Sequence, residues 1–181
     1  PENKMRADIL ETFPKIGEIA INKSLEILDI IIQERDAVGV WCDKPRTYAD
    51  IDADLRRQTS VCFYFDKYGV IFEQAPKSTG SLILAVEDER NFDPSLGDTV
   101  LTSAEIIFLE EANGLISRNF SFNAQLFIIT QKSEFEFITS ENWRVLLNKN
   151  ETPEYQLSNL KYLLDEEIKN ILEKRKDIAF Y

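Results

Sequence analysis

The chain has 181 residues, 44% of them hydrophobic, and its 32 acidic side chains outnumber its 21 basic ones to give a net charge of −11. That apolar supply argues against a disordered chain, and the length suits one domain with a sizeable core. The charge argues against nucleic acid as a ligand, because affinity for phosphate is built from clustered Lys and Arg. The one compact basic group, Lys174-Arg175-Lys176, has a structural use beside the negative end of a helix dipole.

No apolar run approaches the ~20 residues that cross a bilayer. Pro1-Glu2-Asn3-Lys4 lacks the basic-then-apolar pattern of a signal peptide. The expectation is a cytoplasmic protein that does not engage a membrane. Cys42 and Cys62 sit among apolar neighbours and read as two buried thiols rather than a bridge.

Residues 1–46 read as a helical N-terminal part and 47–181 as a mixed α/β part of the same domain. After a short turn around Ile9 and Phe13, Pro14 precedes a stripe formed from Ile16 by Ile21, Leu25, Leu28 and Ile32, spaced i, i+4, i+7 and i+11. Ile27, Ile30 and Ile31 widen it, so the spacing predicts a deeply embedded helix that ends before Gly39. Thr47-Tyr48-Ala49-Asp50 has the form of a capping box and predicts a second, short helix with Tyr48, Ile51 and Leu55 inward.

Strands follow. Ser60-Val61-Cys62-Phe63-Tyr64-Phe65 is dense in aromatic and β-branched residues, and Asp66-Lys67-Tyr68-Gly69 turns it into Val70-Ile71-Phe72, with Gly69 free to take a positive φ. A third strand covers 81–86. Thr102-Ser103-Ala104-Glu105 is a full capping box and predicts a helix from Ser103 to about Arg118. Residues 124–130 and 135–139 predict a second hairpin, and 140–148 another short helix. Thr152-Pro153 opens a long last helix whose stripe is Leu157, Leu160, Leu164, Ile168 and Ile171.

The absent chemistry is informative. A chain with no histidine lacks the imidazole base of the common serine and cysteine hydrolases. There is no G-x-G-x-x-G and no P-loop to cradle phosphate. Structural zinc would need ligands beyond two cysteines. Glu134 and Glu136 share a strand face, which reads as the outward side of a half-exposed strand. Glu167-Ile168-Lys169 has the spacing of a nuclease E-x-K, yet it lies on a helix whose apolar member is Ile168. No catalytic, cofactor-binding or metal-ligating residue is assigned.

The stretch 84–98 carries Glu87, Asp88, Glu89, Asp93 and Asp98, with Gly97 late in the loop. Its three consecutive acids lack the alternating ligands and central Gly of a calcium loop. Two readings stay open: a solvated connection, or a negative patch that docks Lys and Arg of a partner. Glu87, Asp88, Glu89 and Asp93 are the partner-binding candidates. Asp98 and Glu105 also place negative charge near the start of the following helix.

From Thr47 onward the element order, helix, three strands, helix, two strands, helix, resembles that of class I chaperones of type III secretion. Those are small, acidic, dimeric α+β proteins that bind unfolded effector segments. The long first helix and the 39–45 connection depart from that pattern. The resemblance implies a secretion chaperone and a possible homodimer. Charge and missing catalytic groups fit an immunity-type protein instead, a non-catalytic binder that neutralises a basic protein partner by electrostatic complementarity. A carboxylate-dependent, metal-assisted hydrolase is the third expectation. The fold expected is a single α+β domain, with an antiparallel sheet of about five strands packed against long N- and C-terminal helices.

Overall fold

A computed structural model describes residues 2–43, 61–80, 82–90, 93–132 and 134–178, with side chains to 167. Helix α1 (Glu2–Thr12) is followed by strands β1 (Ile16–Lys23), β2 (Leu28–Glu34), β3 (Gly39–Asp43), β4 (Cys62–Phe65), β5 (Ile71–Ala75) and β6 (Leu84–Asp88). Helix α2 (Ser103–Asn119), strands β7 (Ala124–Ile129), β8 (Phe135–Thr139) and β9 (Arg144–Leu147), and helix α3 (Pro153–Ile178) complete the order. The helix expected around Thr47 lies outside the described residues.

The long first helix is corrected: residues 16–34 form an antiparallel hairpin. Ser24 and Ile27 close its turn, Ser24 N–H donating to the Ile27 carbonyl at 2.8 Å and Ile27 N–H to Ser24 Oγ at 3.2 Å. A serine that bonds its own turn competes with helix. Each half of the stretch also carries a period of two, Ile19 and Ile21 in β1, Leu28, Ile30 and Ile32 in β2. Isoleucine-rich runs suit that pleat better than a helix, where branching at Cβ crowds the preceding turn.

The expected antiparallel sheet of five strands is also corrected. The main sheet has seven strands in the order β5-β4-β3-β6-β7-β8-β9, and its centre, β3-β6-β7, is parallel. Residues 39–43, read as a connection, are a central strand with Trp41 fully buried. Gly39 is required there, because a Cβ would collide with the Phe65 ring and the Leu84 carbonyl. Gly69 does take a positive φ, 76°, in the β4–β5 turn.

The helix expected over 140–148 is a turn and the edge strand β9. Thr139 Oγ1 accepts the amides of Glu141 and Trp143 at 3.2 and 3.0 Å, and Asn142 adopts φ 63°. Asn tolerates that left-handed backbone better than most residues, so the chain reverses and Leu147 turns inward.

Pleating puts Trp41, Phe65, Val86, Phe127, Phe135 and Phe137 on one face of the sheet, where α2 covers them with Ile106, Leu109, Ala112 and Ile116. Leu157 of α3 joins the same core. The α2 capping box forms as its sequence predicts: Glu105 N–H donates to Thr102 Oγ1, and Thr102 N–H to Glu105 Oε2 at 2.8 Å. On the opposite face Val40, Cys42, Cys62 and Ala75 cluster with Tyr64 and Ile83.

The two cysteines are buried, as expected, but bridged: Cys42 and Cys62 form a disulfide across β3 and β4. Asp43 N–H donates to the Val61 carbonyl at 3.0 Å. That makes the neighbouring Cys42–Cys62 pair a non-hydrogen-bonded one, in which facing residues lie closest; their Cα atoms are 4.1 Å apart. No helix among the described residues is long and apolar enough to cross a membrane.

Candidate functional site

The acidic stretch 84–98 does not form one patch. It begins on β6, where the pleat sends Glu87 and Glu89 to one side and Asp88 to the other. Asp88 is 1% exposed, so it faces the core and not a partner. Its Oδ2 accepts Trp41 Nε1–H at 3.0 Å and Arg90 Nη2–H at 2.7 Å, and its Oδ1 accepts the Arg90 backbone amide at 2.8 Å. Arg90 Nη2 also donates to the Val100 carbonyl at 2.8 Å, fastening the loop that leads to α2.

A buried carboxylate is tolerated only when its lone pairs are met this fully. The hydrogen bonds that Arg90 donates to the Asp88 carboxylate raise its pKa above the ordinary arginine value, against the opposing effect of burial. A raised cationic pKa contributes stability that is present below the unfolded value and lost only as pH rises through the folded one. Arg90 therefore stays a cation throughout the neutral range.

The other candidates divide. Glu87 pairs with Lys77 at 2.8 Å and is nearly covered. Glu89 is half-buried and extends the sheet, its N–H donating to the Ile129 carbonyl at 2.8 Å. Asp93 is exposed. Asp98 closes its own loop by accepting the Ser95 amide at 2.8 Å. Glu87, Glu89 and Asp93 thus lie at or beyond the carboxyl end of a parallel strand, where open sheets commonly expose ligand-binding loops. Glu136 meets Arg144 at 2.9 Å, a contact ionic rather than hydrogen-bonded in geometry, while Glu134 is exposed. Among the described residues no group of three His, Cys, Asp or Glu side chains gathers to hold a metal.

A second buried acid builds a joint. Asp66 Oδ1 accepts the amides of Tyr68 and Val70 at 2.9 and 3.0 Å, and its Oδ2 pairs with Arg35 Nη1. Arg35 Nε donates back to the Pro14 carbonyl at 2.9 Å. Lys15 adds a surface pair to Glu73 at 3.2 Å. The base of the β1–β2 hairpin is so clamped to the β4–β5 turn through one guanidinium. Arg35 lies outside the motifs that the sequence displays, and only the structure brings it to Asp66.

What that clamp presents is the most unusual surface of the molecule. Every residue of β2 is exposed, although four of the seven positions of Leu28-Asp29-Ile30-Ile31-Ile32-Gln33-Glu34 are large aliphatics. Ile30, Ile31 and Ile32 stand 46, 60 and 51% exposed, with Leu25, Ile27 and Phe13 exposed nearby. α1 packs against β1, whose Ile19 and Ile21 are buried, and leaves β2 uncovered. Around these aliphatics lie exposed Glu18, Glu26, Asp29 and Glu34, with Lys23 in the hairpin and Lys15, which meets Glu34 at 3.8 Å, as nearby cations. An apolar centre inside a charged rim is the anatomy of a protein-docking surface.

Compared with family models and with curated proteins, the chain matches none.

Proposed function

We propose that this chain is a non-catalytic acidic protein that binds a basic protein partner and neutralises it by occupying its surface, as immunity proteins do. The observation that carries the reading is the exposed aliphatic strand β2 inside an acidic rim. Scattered surface aliphatics are ordinary, but a contiguous strand of them on a soluble surface marks an interaction site. The net charge of −11 supports the sign of the partner: it speeds encounter with a basic surface, while buried apolar anchors hold the complex. Glu87, Glu89 and Asp93 contribute to this steering field, and Asp88 acts from within by holding their loop.

The disulfide bears on where this happens. Structural disulfides persist in oxidising compartments and are uncommon in the cytoplasm. The Cys42–Cys62 bridge therefore supports an oxidising location over the cytoplasmic one expected from the sequence. Thiol alkylation of protein taken directly from its source cell reads this out, and free thiols there would favour the cytoplasm.

Affinity capture with wild-type protein and with the double variant Ile30→Ser, Ile32→Ser tests the binding reading. Wild type is expected to retain a basic protein in a salt-sensitive manner, and the variant, equally folded by circular dichroism, to lose it. Recovery of the same protein at the same yield by both would contradict the assignment of the hairpin.

A further inference from the structure

The hairpin is a two-stranded sheet, so among the described residues β2 pairs with β1 on one side and with no strand along its other main-chain edge. Its hydrogen-bond phase follows from the turn. Ser24 N–H donates to the Ile27 carbonyl, and in an antiparallel ladder every second facing pair is bonded. Asn22/Asp29, Ala20/Ile31 and Glu18/Gln33 are then the bonded pairs. At the far end Arg35 N–H donates to the Lys15 carbonyl at 2.8 Å, which agrees with that phase once the β1 bulge between Ile16 and Glu18 is counted. The N–H and C=O groups of Leu28, Ile30 and Ile32 consequently point outward along the free edge.

Proteins usually blunt such an edge with a lysine, a proline or a bulge. β2 has none of these: its charged residues are Asp29 and Glu34, and the bulge lies in β1. Its two faces also differ. Leu28, Ile30 and Ile32 share a face with Ile19 and Ile21, whereas Asp29, Ile31 and Gln33 share the other with Glu18, Ala20 and Asn22.

We infer that the outer edge of β2 takes up an extended segment of the partner as a third strand, and that this segment alternates apolar residues with Lys or Arg. This rests on the reading of the hairpin as the binding element and names how the partner is held. Main-chain bonds to Leu28, Ile30 and Ile32 supply the attachment, as in other cases of strand addition. The pleat sets the specificity. Apolar side chains of the incoming strand extend the aliphatic face, and the intervening Lys or Arg side chains fall beside Asp29 and Gln33 of β2. A second copy of this chain is the competing occupant. It brings a second net charge of −11, and antiparallel pairing about Ile31 sets Asp29 opposite Gln33, with no cation to meet the acid.

The test uses the whole protein and three short synthetic peptides: one alternating Val with Lys, the same sequence N-methylated on every second residue, and one alternating Val with Glu. Fluorescence anisotropy gives affinity, and amide hydrogen exchange of the complex gives its geometry. The Val–Lys peptide is expected to bind and to slow exchange at Leu28, Ile30 and Ile32 while leaving Asp29, Ile31 and Gln33 unchanged. N-methylation on the paired edge should weaken it about tenfold or more, the effect of losing two or three main-chain bonds. The Val–Glu peptide should bind far more weakly still. Ile30→Pro, which removes an outward amide without touching the β1 ladder, should reproduce the loss.

Equal affinity for the methylated peptide, or protection arising elsewhere, overturns strand addition. The hairpin reading survives that result if the Ile30→Ser, Ile32→Ser variant still loses its captured protein. A dimer seen by light scattering, with those three amides protected by dimerisation alone, overturns the basic segment as occupant and replaces it with a second copy.

Discussion

Strands β2 and β7 each carry four large apolar residues and are opposite in circumstance. β2, Leu28–Glu34, has four large aliphatics and every residue exposed; β7, Ala124–Ile129, has Leu126, Phe127, Ile128 and Ile129 and is mostly buried. The difference lies in what surrounds them. β7 is paired on both edges, to β6 and β8, and α2 lies across its face. β2 is paired with β1 on one edge, and α1, which packs against β1, leaves every residue of β2 exposed. Apolar side chains thus hold the body together in one place and stand available to a partner in the other. Which role a strand takes depends on its neighbours, not on its own residues.

That contrast is sharpest in stability. Truncating Phe137, the fully buried β8 neighbour of Phe127, to Ala should cost about 3–5 kcal/mol through lost burial and the cavity left behind. Ile31→Thr in β2 should change stability by no more than about 0.5 kcal/mol, because an exposed strand position is exchanged for another good strand former. Paired chemical-denaturation curves give both values; similar losses would erase the distinction between the two strands.

Acids divide in the same way. Asp88→Ala strands the Arg90 cation and the Trp41 indole N–H, a change expected to cost about 3–5 kcal/mol. Asp29→Ala on β2 should be near neutral in thermal melts, yet weaken a basic partner. Reducing the Cys42–Cys62 bridge, with its sequence separation of 20, should destabilise the body by about 3 kcal/mol and leave hydrogen exchange in the hairpin unaltered. Among the changes to the body, the mildest is Thr102→Ala, which removes the α2 cap and should cost about 1 kcal/mol, measurable as a modest drop in melting temperature.

Most of the body was legible because its signals are local. The Thr102–Glu105 capping box starts α2 where the sequence places it, Pro153 after Thr152 is the first residue of α3, and β4, β5, β7 and β8 follow the aromatic and β-branched runs. The missed elements fail for identifiable reasons. Ile21, Leu25, Leu28 and Ile32 satisfy a helical period, while Ile19, Ile21, Leu28, Ile30 and Ile32 satisfy a strand period; the Ser24 turn decides between them. Val40-Trp41-Cys42 is too short a run to declare itself a strand, and only its parallel pairing with β6 makes it central.

Strand order and register are set by contacts distant in sequence, so neither the mixed sheet nor the facing of Cys42 and Cys62 was readable from spacing. The candidate site was legible in charge but not in place. Asp93 is exposed, Glu89 half-buried and Glu87 nearly covered against Lys77, while Asp88 turns inward because strands alternate faces; the surface of β2 exists because residues 16–34 form a hairpin and not a helix.

Amide hydrogen exchange of the free protein at β2 tests the account most directly. Alternation is expected: slow exchange at Asp29, Ile31 and Gln33, which bond to β1, and fast exchange at Leu28, Ile30 and Ile32 on the open edge. Uniform protection across all six amides would mean that this strand is already covered, or is helical after all, and would contradict the claim that it stands ready for a partner.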